Sequence, residues 1–446
     1  MASGKRQALA ASGVFRRLSG TVQAFGGGMH SVRSWTRLVG AISSVIVFSS
    51  AAWANEPGQK SPSSSGETAE QSFRFYGQLN RAFMYWDDGR KSAVYAVDND
   101  TSSSRLGFVG THRFSSQLSG GFRVEVDSTL TLSSEVSSGD PWGQSDEFIR
   151  LRHAYGYLEN RKLGRLSAGQ QSPATDDISL MNLGSEMNDA ALHYNNNFGV
   201  WLNLAGGLNS DLKWGQIAHN VDSLRGLFVR YDTPAMGGVV LSAALGKDGV
   251  WDVGARYQAK WQSFRFVAGI GYMDEGEHHY RDTKGSASLI HDPTGLYVSV
   301  AGGLRNDDVS LLSANGQARF HYAQLGISKQ WLPQGKTTLY ADYGLYRNFN
   351  VGNLLQADVF NPGQLVIWGA LTQTEVRRWG FGAEQAFDAH NLLLYAQAHH
   401  YEAEITGIQC DTLPAPTPAD CKLNGSPQTL PTKPWVGVVT GARVRF

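Results

Sequence analysis

The chain has 446 residues, of which 39 are basic and 39 acidic, for a formal charge of zero. The balance is uneven: residues 1–54 hold Lys5, Arg6, Arg16, Arg17, Arg33 and Arg37 and no acid, so the remainder carries 33 basic against 39 acidic residues, a charge of −6. A mildly acidic body argues against a general nucleic-acid binder, and two cysteines offer one local staple at most.

Taken in order, the chain starts with a leader. Arg33 and Arg37 precede an apolar run over 38–48, and Ala52-Trp53-Ala54 supplies the small-x-small pattern of a cleavage site. Residues 1–54 therefore read as a secretory signal, with Met29 as an alternative true start. The apolar run is shorter than the ~20 residues that a membrane-spanning helix needs. Residues 55–72, rich in Ser, Pro and Glu, read as a flexible lead-in. From residue 73 to residue 446 one unit repeats, a strand with two unlike faces followed by a connection.

The first such strand, 73–86, sets Phe73, Phe75, Gly77 and Leu79 against Arg74, Tyr76, Gln78 and Asn80. Side chains alternate across a strand, so one face is apolar and the other polar. The next strands set Leu106 and Phe108 against Arg105, then Phe122, Val124 and Val126 against Arg123, Glu125 and Asp127, then Ile149 and Leu151 against Arg150 and Arg152. Later apolar faces include Val200/Leu202/Leu204, Val239/Leu241/Leu245, Phe264/Phe266/Ile270, Leu296/Val298/Val300 and Leu392/Leu394. The last strand, 434–446, sets Val436, Val438, Thr440, Ala442, Val444 and Phe446 against Arg443 and Arg445, and the sequence ends on that aromatic.

The connections alternate short and long. Residues 117–120, 161–164, 235–238, 292–295, 332–335 and 388–391 carry the Gly, Pro, Asn and Asp of tight turns. Between them lie long polar stretches at 87–102, 133–146, 174–188, 210–222, 306–315, 348–374 and 406–433, with one short exception at 246–249. Tight turns on one rim and long loops on the other predict an all-β, transmembrane antiparallel up-and-down β-barrel. The strand count favours 18, and 16 is the alternative if weak stretches such as 286–291 are loop. Lipid offers no partners for an open sheet edge, so the last strand must pair with the first. Small residues on the apolar faces (Gly77, Gly110, Ala168, Ala205, Ala243, Ala268, Ala396, Ala398) suit lipid better than a close-packed soluble core. Aromatics near strand ends suit interface girdles.

At this point the chain resembles the Gram-negative general-diffusion outer-membrane porins. The residues that carry the resemblance are Ser104-Arg-Leu-Gly-Phe-Val-Gly110 with Leu118-Ser-Gly-Gly-Phe-Arg-Val-Glu125, the strand 150–158, Gly164-Arg-Leu-Ser-Ala-Gly-Gln-Gln-Ser-Pro173 running into Asp176 and Asp177, and the terminal strand. The resemblance covers about 73–446. It implies a homotrimer in outer-membrane lipid and a third loop folded into the lumen. It also implies Phe446 as the signal read by the outer-membrane assembly machinery, and small hydrophilic solutes and ions as cargo. The chain departs from the family where its fifth strand reads Gly169-Gln170-Gln171 in place of an arginine.

The expected constriction opposes two walls. The inward loop brings Asp176, Asp177 and Glu186, with Asp189 just beyond, and the lumenal strands bring Arg74, Arg105, Arg123, Arg150 and Arg152. Opposed charges across a narrow aqueous gap make a transverse field that sets ion preference, and arginine keeps its charge at any relevant pH. The competing reading is that these arginines pair with Glu125 and Asp127 and merely solvate a polar face. Cys410 and Cys421 either close a small ring in an oxidising compartment or stay free thiols. The histidine pairs 278–279 and 399–400 do not suggest a metal, since neighbours on a strand point to opposite faces, and no cofactor is expected. A solute-selective channel for anions or sugars, with Tyr76, Tyr297 and Tyr395 as candidate lumenal aromatics, is the alternative function. A soluble secreted β-protein and a barrel-embedded hydrolase complete the alternatives. No ordered Ser-His-Asp set or phosphate loop is recognisable.

Overall fold

The computed structural model describes residues 71–136, 148–187, 200–205, 209–219, 221–222, 225–278, 280–307, 317–352, 354–356, 368–409 and 427–446. The leader, most of the lead-in, Asp189, Cys410 and Cys421 lie outside the described residues.

The strands are β1 (Gln71–Asp87), β2 (Ser92–Asp98), β3 (Arg105–Arg113), β4 (Leu118–Ser128), β5 (Ile149–Asn160), β6 (Gly164–Gln171), β7 (Trp201–Asn203), β8 (Asn209–Lys213), β9 (Gly226–Asp232), β10 (Val239–Gly246) and β11 (Trp251–Trp261). They continue with β12 (Phe264–Asp274), β13 (Tyr280–His291), β14 (Leu296–Asp307), β15 (Gln317–Leu332), β16 (Gly335–Arg347), β17 (Leu354–Gln356), β18 (Trp368–Phe387), β19 (Leu392–Gln409), β20 (Gln428–Pro431) and β21 (Trp435–Arg445).

All pairings between these strands are antiparallel, and sixteen of the strands close a barrel. Its staves are β1, β3–β6, β9–β16, β18, β19 and β21, each bonded to the next. The seam is β21 against β1, in register from Gln78↔Arg445 to Asp87↔Val436. Short strands β2, β17 and β20 extend the wall at the long-loop rim. Sixteen is the lower end of the expected range. The stretch 286–291, doubtful from sequence, is the end of stave β13. The stretch Val200/Leu202/Leu204, expected as a two-faced stave, is instead part of a separate two-stranded hairpin, β7 with β8, inside the connection from β6 to β9. Its alternation is real, but its apolar side chains are buried against protein and not turned to lipid.

Five of the six expected tight turns fall where the sequence placed them; the one expected at 117–120 lies at 114–117, since Leu118 already opens β4, and a further one at Gln262 (φ 49°) joins β11 to β12. The outward faces of the staves are apolar and exposed: Phe73, Leu79 and Phe83 on β1, Leu241 and Leu245 on β10, Leu325 on β15, Phe381 on β18. Phe446 explains its own position. Its backbone exchanges both hydrogen bonds with Gly77 (3.0 and 3.1 Å). Its ring lies over that glycine, where an added Cβ would stand 2.6 Å from ring Cζ, and 5.9 Å from the ring of Phe75. Gly77 is therefore small because the terminal aromatic covers it.

Candidate functional site: an inward segment across a charged lumen

The chain turns inward after β6, the fifth stave. Gly169 prepares the turn: its φ is +134°, and a side chain there would meet the carbonyl of Ala154 at 2.3 Å. The arginine missing from this stave is supplied by the next one. Arg230 on β9 donates from Nη1 to the carbonyls of Ser172 (3.3 Å) and Pro173 (2.9 Å), where the segment leaves the wall.

Residues 172–187 then run along the inner faces of β11, β13, β15, β16, β18 and β21. Asp252 on β11 holds the near end, accepting from the backbone N–H groups of Ala174 (3.1 Å) and Thr175 (2.7 Å) and from Thr175 Oγ1 (2.7 Å). In the middle, Ser286 and Ser288 on β13 accept from Met181 N–H (3.2 Å) and Leu183 N–H (3.0 Å), while Asn182 donates to Gln324 (2.7 Å). Glu384 on β18 holds the far end. Its Oε1 accepts from the hydroxyl of Ser185 and from Met187 N–H (3.1 Å), and its Oε2 accepts from Glu186 N–H (2.9 Å). A buried backbone must find partners, and a carboxylate accepting amide N–H groups is among the stronger ones. Asp252 and Glu384 were not singled out from the sequence. The available signal was an acid at an inward position among small residues, as in Gly382-Ala383-Glu384.

The acidic residues of this segment separate. Asp176 is buried, bonded to the hydroxyl of Ser172, with its carboxylate 3.4 Å from Arg225. Asp177 sits in the left-handed region (φ 63°), which Asp tolerates, and its N–H donates to Asp222 (3.2 Å). Oxygens of Asp176, Asp177 and Asp222 lie within 4.8 Å of one another. Lys284 Nζ stands 3.7 Å from Asp222, and Arg256 donates to the carbonyl of Asp176 (2.6 Å). Glu186 lies at the other end, paired with Arg443 (2.7 Å) and 3.7 Å from Arg445. The three described acids thus form two groups, each with its own cations.

Four of the five expected arginines gather on β3, β4 and β5. Glu125 receives Arg123 (2.8 Å) and Arg152 (2.9 Å), with Arg105 at 3.8 Å. Asp127 receives Arg150 (2.8 Å) and Arg152 (3.3 Å). Tyr76 ties the group to β1: its hydroxyl donates to Glu125 (2.7 Å) and accepts from Arg123 Nε (2.8 Å). The pairing with Glu125 and Asp127 weighed from sequence is therefore real, and Asp100 stands 3.9 Å from Arg150, so four guanidinium groups face three carboxylates, a local formal charge of +1. Arg150 is the most open, with 49% of its side chain exposed. Arg74 lies outside the cluster, exposed near the start of β1 with its guanidinium 5.6 Å from the Tyr76 ring.

The candidate aromatics do not form one open stripe. Tyr76 belongs to the arginine cluster, Tyr297 is buried beneath Gly184 with its hydroxyl on Gln324 (3.1 Å), and Tyr395 is buried between Asn80 and Asn99. His399 and His400 face opposite ways, the first buried against Asp342 (3.0 Å) and the second against the exposed ring of Trp379.

Three comparisons bear on this architecture. A search of curated proteins returns no match. Among solved structures, OmpT of Vibrio cholerae is similar at 12% identity and a TM-score of 0.49, over 85% of this chain and 99% of that one. The anion-selective porin of Comamonas acidovorans matches at 14% identity and 0.49, over 84% and 100%, and the outer-membrane channel DcaP of Acinetobacter baumannii at 14% and 0.43, over 85% and 99%. The family profile described as Gram-negative porin matches residues 41–406. With most of its length inside that match and sixteen antiparallel staves closed on themselves, the chain belongs to the Gram-negative porin family.

Proposed function

We propose that this outer-membrane diffusion channel passes small hydrophilic solutes and ions through a gap between the inward segment 172–187 and the arginine cluster of β3–β5. The observation that carries the reading is the asymmetry of that cluster: four arginines share three carboxylates, Asp100 included, and Arg150 is the most exposed of the four. Sixteen-stranded barrels leave an aqueous channel, and fixed charge beside a narrow aqueous path orients dipolar solutes and biases ions. Asp176, Asp177 and Glu186 contribute to the opposite wall, partly neutralised by Arg225, Lys284 and Arg443. The net bias of the pair is toward anions. A salt-gradient reversal potential on purified protein tests this. Anion preference supports the assignment, and cation preference means that the acidic segment dominates and overturns it. Tyr297 and Tyr395 are covered, so a sugar-binding aromatic stripe is not favoured.

The working unit in this reading is a homotrimer. Outward-facing Arg81 on β1 supports it: it lies between exposed Leu79 and Phe83, keeps 47% of its side chain exposed, and pairs with Asp98 of β2 (3.8 Å) on one side only. An arginine facing outward near the rim costs up to about 1 kcal/mol in lipid, which a second copy covering β1 would offset. Phe446 serves as the assembly signal at the seam. The reading assigns no catalytic step to the chain, and hydrolytic turnover by purified protein would contradict it.

A further inference from the structure

We infer that residues 200–205 and 209–219 form a fixed apolar plug that seals one side of the channel mouth and confines the water-filled path to the other side. The inference rests on a departure from the usual rule that inward faces are polar. Val200, Leu202, Leu204, Leu212, Trp214 and Ile217 are each 2% exposed or less. They belong to one buried cluster with inward side chains of seven staves: Met84 and Trp86 on β1, Ala301 on β14, Phe320 on β15, Tyr346 on β16, Val376 on β18, Tyr401 and Ile405 on β19, and Val439 on β21. Apolar residues on both faces of a stave have no place in an open aqueous lumen, but they suit a wall with something packed against it.

Specific contacts seat the plug at several points around its rim. Trp214 lies 5.8 Å from the ring of Tyr401, which in turn meets Trp435 edge-on at 4.8 Å. The backbone of the hairpin bonds to the wall extension at β20: Ala205 N–H donates to the carbonyl of Pro431 (2.8 Å), and Lys433 N–H donates to that of Asn203 (2.7 Å). The side chain of Asn203 donates to the carbonyl of Asp88 (3.1 Å), beyond β1. At the exit, buried Lys284 of β13 donates to the carbonyl of Val221 (2.8 Å). Attachments to β1, β20 and β13 leave the plug no single hinge to swing on. The staves outside this cluster include β3, β4 and β5, whose arginines line the remaining path.

The inference goes beyond the constriction reading, because it concerns the hairpin and not segment 172–187, and it holds whichever ion the channel prefers. Two experiments test it. First, the variant Leu202→Ser/Leu212→Ser/Trp214→Ser removes the apolar contacts while leaving every stave intact. Its single-channel conductance is expected to rise about twofold, since the plug covers nearly half of the sixteen staves around an otherwise aqueous lumen. A folded variant with unchanged conductance overturns the inference. Second, Leu204→Cys/Thr432→Cys places a disulfide across residues that already form an antiparallel bridge, a separation that disulfide geometry accepts. Oxidised and reduced forms are expected to conduct alike, with the unsubstituted protein as the control for its own cysteines. A larger conductance on reduction would show a moving gate and overturn the fixed plug.

Discussion

Glu384 is the residue on which the position of the inward segment most depends. Its carboxylate is buried and takes three donors, Ser185 Oγ and Met187 N–H on Oε1 and Glu186 N–H on Oε2. Glu384→Ala removes all three acceptor sites and leaves two backbone N–H groups beside an apolar methyl. Each orphaned buried donor costs about 1–3 kcal/mol, so the far end loses roughly 2–6 kcal/mol of attachment before any water enters. Glu384→Gln retains Oε1 and turns an N–H₂ toward Glu186 N–H, so it loses about one bond, in the 1–3 kcal/mol range. The near end stays on Asp252, so the segment should swing and not fall out of the lumen. In planar bilayers the alanine variant is expected to show noisy current with several sublevels, and the glutamine variant a milder form of the same. Heat-modifiable migration on gels reports the staves and should not change. A quiet alanine channel with the original conductance would refute the anchoring role.

Three further outcomes follow from the same geometry. His219, beyond the plug hairpin, takes a hydrogen bond on Nδ1 from Val221 N–H (2.9 Å), and burial together with nearby Arg305 and Lys284 pulls its pKa down to about 3. A base whose folded pKa is depressed contributes stability in full above its unfolded value near 6.5 and loses it as pH falls toward 3. The plug is therefore expected to weaken by at most about 2 kcal/mol at pH 5, read as faster proteolysis or hydrogen exchange at 214–219, and His219→Gln should flatten that dependence. Arg152 bridges Glu125 and Asp127, so Arg152→Glu reverses one charge in the cluster and should move the reversal potential toward cation preference; an unmoved potential would place the cluster off the ion path. Phe446→Ala uncovers Gly77 and the Phe75 ring at the seam and should lower the yield of folded barrel in outer membranes, while an undiminished yield would remove the terminal ring from assembly.

Much of the barrel was legible because lipid imposes a period of two on every stave and turn chemistry marks one rim. Gly164, Gly238, Gly295 and Gly335, all at positive φ, announced their turns directly. The hairpin 201–213 was misplaced because alternation reports burial on one side without saying what provides the burial: Leu202 and Leu204 look the same facing lipid or facing Trp435. The arginines were found because charge on one face of a strand is conspicuous. Their partners Glu125 and Asp127 sit on the same stave as Arg123, so pairing was foreseeable, but its one-sidedness depends on how β3, β4 and β5 stand side by side. Asp252 and Glu384 were missed for a related reason, since an acid that caps a distant segment carries no local pattern. Arg230 could not be foreseen either, because it replaces an absent arginine from the neighbouring stave and not from its own.

The central claim is that the closed wall encloses a continuous aqueous path. Single-channel conductance of detergent-purified protein in a planar bilayer tests it most directly. Ohmic current is expected, arriving in steps grouped by three levels, one trimer per insertion. Folded protein that inserts and passes no current would contradict the account.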